Sequence, residues 1–328
     1  MLRHTKITQD RIVYFTRRLY ALIYAERVPL RVEMAGPVGR ITHAEAQRLD
    51  YRPVELGASL APEWSTHWFR LSGTVPEAWS GRRVDLWWNS HTEATLWRGG
   101  QPVQGLNYMP GNALSPAARP EAKLWQEAPG GAAVELQIET ACNPPFSSIF
   151  CLWDTPDYKM PTPKAIEGQS HGSLEEASLA LFDVEAWDFC WDYWVLADLV
   201  KRADPLALTP WEGHLLGTLN EILNLTDLED RTTWPKARAL LRGLYENRNA
   251  TWQHEVTAIG HAHIDTAWLW PLAETRRKCV RTFSTAIAYL KDYPEYKFAC
   301  SQAQQYQWIK DEHPGLYREI GEAVRRGQ

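Results

Sequence analysis

The spacing of apolar residues along this chain of 328 residues changes twice, and each spacing is typical of a different kind of structure. Short apolar runs separated by glycine, proline and asparagine fill residues 28–184. In one run, Val134, Leu136 and Ile138 alternate with polar side chains. A period of two is typical of a strand with one buried face. We therefore predict an N-terminal antiparallel β-sandwich over this range.

The predicted strands follow these apolar runs. They cover residues 65–72, 82–89, 93–98, 132–140 and 147–153, with a last strand near 178–184. Between the third and fourth strands, residues 99–131 contain many glycine, proline and alanine residues. Because glycine and proline interrupt regular structure, we predict a long loop there.

Outside the sandwich, apolar residues recur at helical spacing. The segment 1–27 is predicted to contain a helix that packs against a neighbouring element. Residues 185–253 are predicted to form a helical connector, whose first helix would bury Trp187, Trp191 and Trp194. The sandwich therefore lies between two helical segments of the sequence.

The final segment, residues 254–328, alternates between strand and helix patterns. A short strand ends at Gly260, a helix begins near Pro271, and a second strand at 296–300 precedes two further helices. This order is typical of a parallel β/α structure, and a closed β/α barrel takes about 250 residues. We predict a multidomain chain, all-β plus α/β, in which a parallel β/α barrel starts but is incomplete.

Composition excludes several classes of protein. Hydrophobic residues make up 45% and charged residues 23%, as in globular proteins, and the formal charge of −5 provides no basic surface for nucleic acid. No apolar stretch reaches the about 18 residues of a membrane span, and the polar N-terminus contains no signal-peptide core. Five cysteines without CxxC spacing indicate buried thiols in a reducing compartment. We expect a cytoplasmic protein that binds neither nucleic acid nor membrane.

Two histidines and an aspartate follow the first strand of the final segment: His261, His263 and Asp265. Catalytic groups of parallel β/α proteins lie at this end of the strands. Residues two apart on an extended segment project to the same side, so His263 and Asp265 can bind one cation such as zinc. Two ligands do not complete a zinc site. The other donors nearby, Glu274 and His313, lie on predicted helices at no suitable geometry.

Trp268 lies three residues after Asp265, in a chain with 17 tryptophans. Most of these are expected in hydrophobic cores, but a tryptophan ring also offers a broad apolar face on which a sugar can stack. A cation that binds vicinal hydroxyls beside such a ring would form a sugar site. Trp268 is therefore the predicted substrate-binding residue.

The run Gly260-His-Ala-His-Ile-Asp-Thr-Ala-Trp-Leu-Trp-Pro271 resembles the signature of the glycoside hydrolase family 38 α-mannosidases. Downstream, Thr282-Phe-Ser-Thr and the run from Phe298 to Trp308 resemble the following segments of the bacterial and cytosolic branch. The resemblance is specific over about 254–312. The sandwich and the connector are similar to the N-terminal region of the same branch.

The resemblance implies a zinc-dependent retaining exo-α-mannosidase. His263 and Asp265 match the zinc ligands of the family, Trp268 matches the aromatic residue beneath the bound mannose, and His261 would support the ligands. The family's nucleophile, its acid/base carboxylate and its remaining zinc ligands lie further along the sequence, so they are expected beyond residue 328. The chain is therefore expected to be the N-terminal part of the enzyme and to be inactive alone.

Two other functions remain open. A metal-dependent carbohydrate deacetylase also places Asp and His ligands on a β/α scaffold, but its metal activates water. A non-catalytic carbohydrate-binding or assembly module is supported by the tryptophan count and by the predicted loop. The expected partner is a mannose-containing oligosaccharide. A homo-oligomer is also possible, because an uncovered edge of a parallel sheet favours association.

Overall fold

The computed structural model describes residues 4–107, 119–143, 172–246, 256–266, 268 and 270–328. Within these residues the helices are α1 (Thr5–Leu22), α2 (His43–Ala46), α3 (Val184–Arg202), α4 (Pro210–Leu225), α5 (Trp234–Glu246), α6 (Leu272–Asp292), α7 (Ala303–Glu312) and α8 (Pro314–Arg325). Each of them is too short or too polar to cross a lipid bilayer.

The strands of the described residues are short, and most lie before residue 182. They are β1 (Arg27–Pro29), β2 (Arg31–Val38), β3 (Arg52–Pro53), β4 (Ser59–Leu60), β5 (Thr66–Thr74), β6 (Val84–Asn89), β7 (Glu93–Arg98), β8 (Gln101–Asn107), β9 (Glu121–Trp125), β10 (Ala133–Ala141), β11 (Gly172–Ser173), β12 (Glu176–Leu181), β13 (Gly260–His261) and β14 (Phe298–Ala299).

The chain divides into two compact units, and each is built from two separate stretches of sequence. One unit combines Met1–Glu26 with Leu181–Glu255, and the other combines Arg27–Ala180 with Val256–Gln328. The predicted packing helix and the predicted connector thus belong to one unit, and the sandwich and the β/α segment belong to the other.

The first unit is a helical assembly around α1 and α3. Phe15 of α1 lies against Tyr193 of α3, with 5.0 Å between the ring centroids. The Tyr193 hydroxyl donates a hydrogen bond of 3.0 Å to the carbonyl of Leu219 in α4. The buried amide of Gln9 donates one of 2.8 Å to the carbonyl of Val200, near the end of α3. These contacts attach the N-terminal helix to the helices of the connector.

Helix α3 buries a different face from the predicted one. Trp187, Trp191 and Trp194 are half-buried, in a row with centroid separations of 5.3 Å and 4.6 Å. The buried face contains Phe189 and Tyr193 instead. Both faces have helical spacing, but the face with Phe189 and Tyr193 is apolar at more positions. Its burial therefore removes more hydrophobic surface from water. The prediction that these three tryptophans occupy the core is therefore wrong.

The second unit contains two antiparallel sheets. The larger has the strand order β3-β2-β5-β10-β7-β8, and the smaller has the order β1-β12-β6-β9. Phe69 of β5 packs edge-to-face on Trp88 of β6, with 4.9 Å between centroids, so the sheets share a core. Val134, Leu136 and Ile138 of β10 are buried, as their alternation predicts. The prediction of an antiparallel β-rich N-terminal region is confirmed.

The prediction of a loop over residues 99–131 is wrong at 101–107 and 121–125, although residues 126–131 do lie outside any strand. Strands β8 and β9 lie there, each at the edge of its sheet. Pro102 and Gly105 of β8 are residues that usually interrupt strands, but proline is tolerated at a sheet edge, where its missing N–H costs no hydrogen bond. Residues 108–118 of this range, and the strand predicted at 147–153, lie outside the described residues.

The C-terminal segment of the second unit contains a parallel strand–helix–strand arrangement. Strand β13 pairs with β14 in parallel, with Gly260 opposite Phe298, and α6 connects them. The helix buries four apolar side chains that recur at helical spacing: Val280, Phe283, Ile287 and Leu290. The predicted β/α alternation is confirmed over these residues, although each strand is shorter than predicted.

Helix α6 lies against the outer face of the larger sheet. The backbone N–H of Gly105 in β8 donates a hydrogen bond of 2.9 Å to the hydroxyl of Thr285 in α6. A Cβ atom on Gly105 would lie 2.9 Å from Cβ of Arg281, closer than such atoms normally approach. Glu139 should face solvent by the alternation of β10, yet it is only 6% exposed because this face is covered. The sandwich and the β/α segment therefore pack as one unit.

We expect Gly105→Ala to destabilise the protein by about 1–3 kcal/mol, because the added methyl group forces β8 and α6 apart. Urea unfolding followed by circular dichroism measures this change. Gly39→Ala is the matched control, since an added Cβ there meets no atom within 4 Å. Equal effects of the two substitutions would show that the contact between β8 and α6 is not tight.

Candidate functional site

The predicted site residues line one cavity of about 710 Å³. His263, Asp265 and Trp268 all line it, in the segment that follows the C-terminal end of β13. His261 lines the same cavity. The structure thus places these residues at the end of a parallel strand, where the sequence predicts them.

The His263 and Asp265 side chains point the same way. Nε2 of His263 lies 2.9 Å from Oδ1 of Asp265. The two side chains are 66% and 44% exposed, so a cation can reach both from the cavity. Among the described residues, no group of three or more His, Cys, Asp or Glu side chains is arranged to hold a metal ion. The pair can supply two ligands of such a site.

Glu274 and His313 do not join this pair. Glu274 is fully buried and forms ion pairs with Arg277 and Arg281. The ring of His313 lies beside Trp97, with 5.7 Å between centroids. Burial lowers the pKa of His313 to about 4, so this imidazole is neutral near pH 7. Both side chains are used in packing, which agrees with their exclusion as ligands from the sequence.

An accessible aromatic surface lies beside the pair. Trp268 is 48% exposed, and its ring meets that of Trp270 edge-to-face with 5.8 Å between centroids. The indole N–H of Trp270 donates a hydrogen bond of 3.0 Å to the hydroxyl of Thr275, in the first turns of α6. Trp270 is therefore held by the helix, and Trp268 presents a ring to the cavity.

Two helices hold the backbone between the paired side chains. The fully buried amide of Gln305 in α7 donates a hydrogen bond of 2.7 Å to the carbonyl of Ile264. The hydroxyl of Thr275 in α6 donates a longer one of 3.4 Å to the carbonyl of Asp265. These contacts fix the backbone of residues 263–265, from which the side chains of His263 and Asp265 project. The sequence reasoning assigned no role to Gln305, since burial of a polar helix residue is a tertiary property.

The sandwich also contributes residues to the lining of the cavity, which the sequence reasoning missed. Glu93, Asn107 and Arg119 line it, and the Arg119 guanidinium lies 4.8 Å from the ring centroid of Tyr289 in α6. Lys278 of α6 also lines the cavity and forms an ion pair with Glu93. A charged residue on a predicted helix is usually assigned to solvent, so nothing in the local pattern indicates that these residues line the cavity.

Comparisons with known protein families match two regions of the chain. Residues 28–179 match the family model described as the α-mannosidase jelly roll domain. Residues 253–328 match the model of the glycosyl hydrolases family 38 N-terminal domain. The second region contains His263, Asp265 and Trp268, so the site described above lies within it.

Curated relatives align with the whole chain. Human α-mannosidase 2C1 is 34% identical over 336 positions, covering 100% of this chain and 31% of the relative. α-Mannosidase G of Dictyostelium discoideum is 31% identical over 342 positions, covering 100% of this chain and 30% of the relative. The chain therefore spans less than a third of the length of either relative.

Among solved structures, the chain has a distant likeness to a β-glucuronidase of Faecalibacterium prausnitzii. The sequence identity is 13% and the TM-score 0.32, over 48% of this chain and 31% of the other. A likeness of this size supports no inference about fold or activity. The two matched family regions and the relatives agree with the signature at 260–271, and on these grounds the chain belongs to the glycoside hydrolase family 38 α-mannosidases.

Proposed function

We propose that this chain is part of a retaining exo-α-mannosidase that removes mannose from oligosaccharides, and that His263 and Asp265 are two of its zinc ligands. One observation carries the proposal: an imidazole nitrogen and a carboxylate oxygen lie 2.9 Å apart on a cavity wall, beside the accessible ring of Trp268. Family membership and the names of the relatives support the reaction and the substrate class.

The donor atoms of the pair fit zinc. Zinc in proteins is bound by nitrogen and oxygen ligands at about 2.0–2.2 Å, usually in tetrahedral sites. Two such ligands lie roughly 3.4 Å from each other, so the hydrogen-bonded pair of His263 and Asp265 needs to open by only a few tenths of an ångström from its 2.9 Å. The proposed site takes its further ligands from outside the described residues.

In the proposed site, the metal and the protein side chains have different roles. Zinc, when bound, would hold neighbouring sugar hydroxyls and act as a local positive charge. Trp268 would supply the apolar face against the sugar ring, and Trp270 and Thr275 would keep that face in place. Gln305 would hold the backbone between the two ligands, through its hydrogen bond to the Ile264 carbonyl.

The described residues of the cavity lack the acid that the reaction requires. A retaining glycosidase uses two carboxyl groups about 5–5.5 Å apart, one of them with a raised pKa. Among the described lining residues, the carboxyl groups are those of Asp265 and Glu93. Burial raises the pKa of Glu93, but Arg281 and Lys278 lower it by more, to about 2. Glu93 cannot act as a general acid, and the 328 residues alone are therefore proposed to be inactive.

The parallel pair of strands is consistent with a larger β/α structure. Within the described residues, strands β13 and β14 pair only with each other, whereas parallel sheets are normally buried within larger sheets or barrels. The proposal therefore includes a β/α barrel that these two strands begin. A cytoplasmic location and a homo-oligomer remain predictions from the sequence.

We expect the 328 residues alone to leave 4-nitrophenyl α-mannoside intact, because the described lining of the cavity offers no carboxyl pair suited to act as nucleophile and acid. The same reading frame, expressed with any coding sequence that follows Gln328 and supplied with zinc, should hydrolyse it. Release of 4-nitrophenol measures both. Inactivity of the longer protein with zinc and with cobalt would contradict the proposal, and release of acetate from acetylated sugars would instead indicate a deacetylase.

In the active protein, we expect His263→Ala to remove a ligand and to lower the zinc content well below about one ion per chain. Hydrolysis should be lost together with the metal. Mass-spectrometric metal analysis and the mannoside assay measure the two effects. His214→Ala changes an exposed histidine of the helical unit and should alter neither. Full zinc content in the His263→Ala protein would remove His263 from the ligand set.

Trp268→Ala should raise KM for the mannoside by about tenfold, or roughly 1.4 kcal/mol of binding, because the sugar loses its stacking surface. Steady-state kinetics measures this change. Trp211→Ala is the matched control, since Trp211 lies in the helical unit and does not line the cavity. An unchanged KM would show that Trp268 does not contact the bound sugar.

A further inference from the structure

The carboxylate of Glu93 in the sandwich binds two cations of helix α6. It accepts hydrogen bonds from Lys278 and, at 2.9 Å, from Arg281. The side-chain amide of Asn143 donates a third, of 2.7 Å, from the sandwich itself. Lys278 and Arg281 are three residues apart and therefore lie on one face of the helix. A single carboxylate of β7 thus fixes one face of α6.

These contacts continue into a buried ion network. Arg281 and Arg277 both pair with Glu274, the latter through an N–O distance of 2.7 Å. Arg277 also donates to the hydroxyl of Thr66 and, at 3.2 Å, to the carbonyl of Trp64, both in the sandwich. Charges this deeply buried require their partners, because an unpaired one would have lost its hydration without compensation. The network therefore permits only a narrow range of positions for α6.

Lys278 extends this arrangement to the candidate site. Its ammonium lies 4.7 Å from the ring centroid of Trp270, a typical distance for a cation–π contact. Trp270 in turn meets Trp268 edge-to-face at 5.8 Å. A lysine side chain is flexible and strongly hydrated, so it stays over a ring only when another group holds it there. Glu93 is that group.

We infer that Glu93 is a positioning residue, which holds Lys278 over Trp270 and thereby sets the orientation of the Trp270–Trp268 pair facing the cavity. The sandwich is therefore a structural part of the site that precedes α6, and not an independent binding module. The inference rests on the proposed function only for what Trp268 binds. The position of the rings is a property of this chain and is testable without any hydrolysis.

The test uses the 328-residue chain labelled with 5-fluorotryptophan and observed by 19F NMR. The resonances of Trp268 and Trp270 are assigned from the Trp268→Phe and Trp270→Phe proteins. We expect Glu93→Gln to shift both resonances, because the released Lys278 leaves the Trp270 ring. Unchanged resonances in a folded Glu93→Gln protein overturn the inference.

The chain contains a matched control. Glu176 of β12 pairs with Arg27 at 2.9 Å, and the Arg27 guanidinium lies 3.8 Å from the ring centroid of Trp87. This arrangement of carboxylate, cation and ring repeats that of Glu93 in the smaller sheet, to which β6 and β12 both belong. Glu176→Gln should shift the Trp87 resonance and leave those of Trp268 and Trp270 unchanged. Equal shifts of Trp268 and Trp270 in both variants would indicate a general loosening and would also overturn the inference.

A second variant shows whether Glu93 acts through Lys278. Lys278→Met removes the cation over Trp270 but leaves the ion pair of Glu93 with Arg281, so it tests the inference even if Glu93→Gln fails to fold. We expect it to shift the same two resonances. Adding Glu93→Gln to Lys278→Met should then produce no further shift, as for two residues that act in series. Additive shifts, or none with Lys278→Met, contradict the inference. An inactive longer protein would overturn the proposed reaction but leave this result intact.

Discussion

The contact of helix α6 with the outer face of the larger sheet determines where every candidate site residue lies. The helix begins a few residues after Asp265, so its position also fixes the segment that contains His263 and Asp265. The contact is close because Gly105 has no side chain. It is specific because the buried charges of Glu274, Arg277 and Arg281 require their partners. The cavity forms between this segment and the sandwich.

Local sequence patterns were sufficient wherever the structure depends on short-range geometry. The alternation in β10 predicts its buried face, and the order of strand and helix patterns predicts the parallel pair at 260–299. The proximity of His263 and Asp265 is also a short-range property, since alternate residues of an extended segment point the same way. Trp268 lies three residues after Asp265, so its position near them is also a short-range property.

The other features of the fold and of the site could not be predicted, because they depend on contacts between residues far apart in the sequence. Glu93 and Lys278 are separated by 185 positions, and a lysine on a helix usually faces solvent. Strand β8 was predicted as loop because Pro102 and Gly105 are unfavourable inside a sheet, but each is suited to an edge strand beneath a helix. Helix α3 has two apolar faces. Which of them is buried depends on the neighbouring helices, and the sequence of α3 alone does not determine it.

The division of the chain into two interleaved units has a consequence for recombination among relatives. The helical unit separates residues 27–180 from residues 256–328 in the sequence, although these two stretches pack together. A gene exchange that replaces only the first stretch would bring a foreign surface to Arg277 and Arg281 and leave buried charges without partners. Viable exchanges must therefore transfer both stretches together, so the sandwich and the β/α segment are expected to diverge in step.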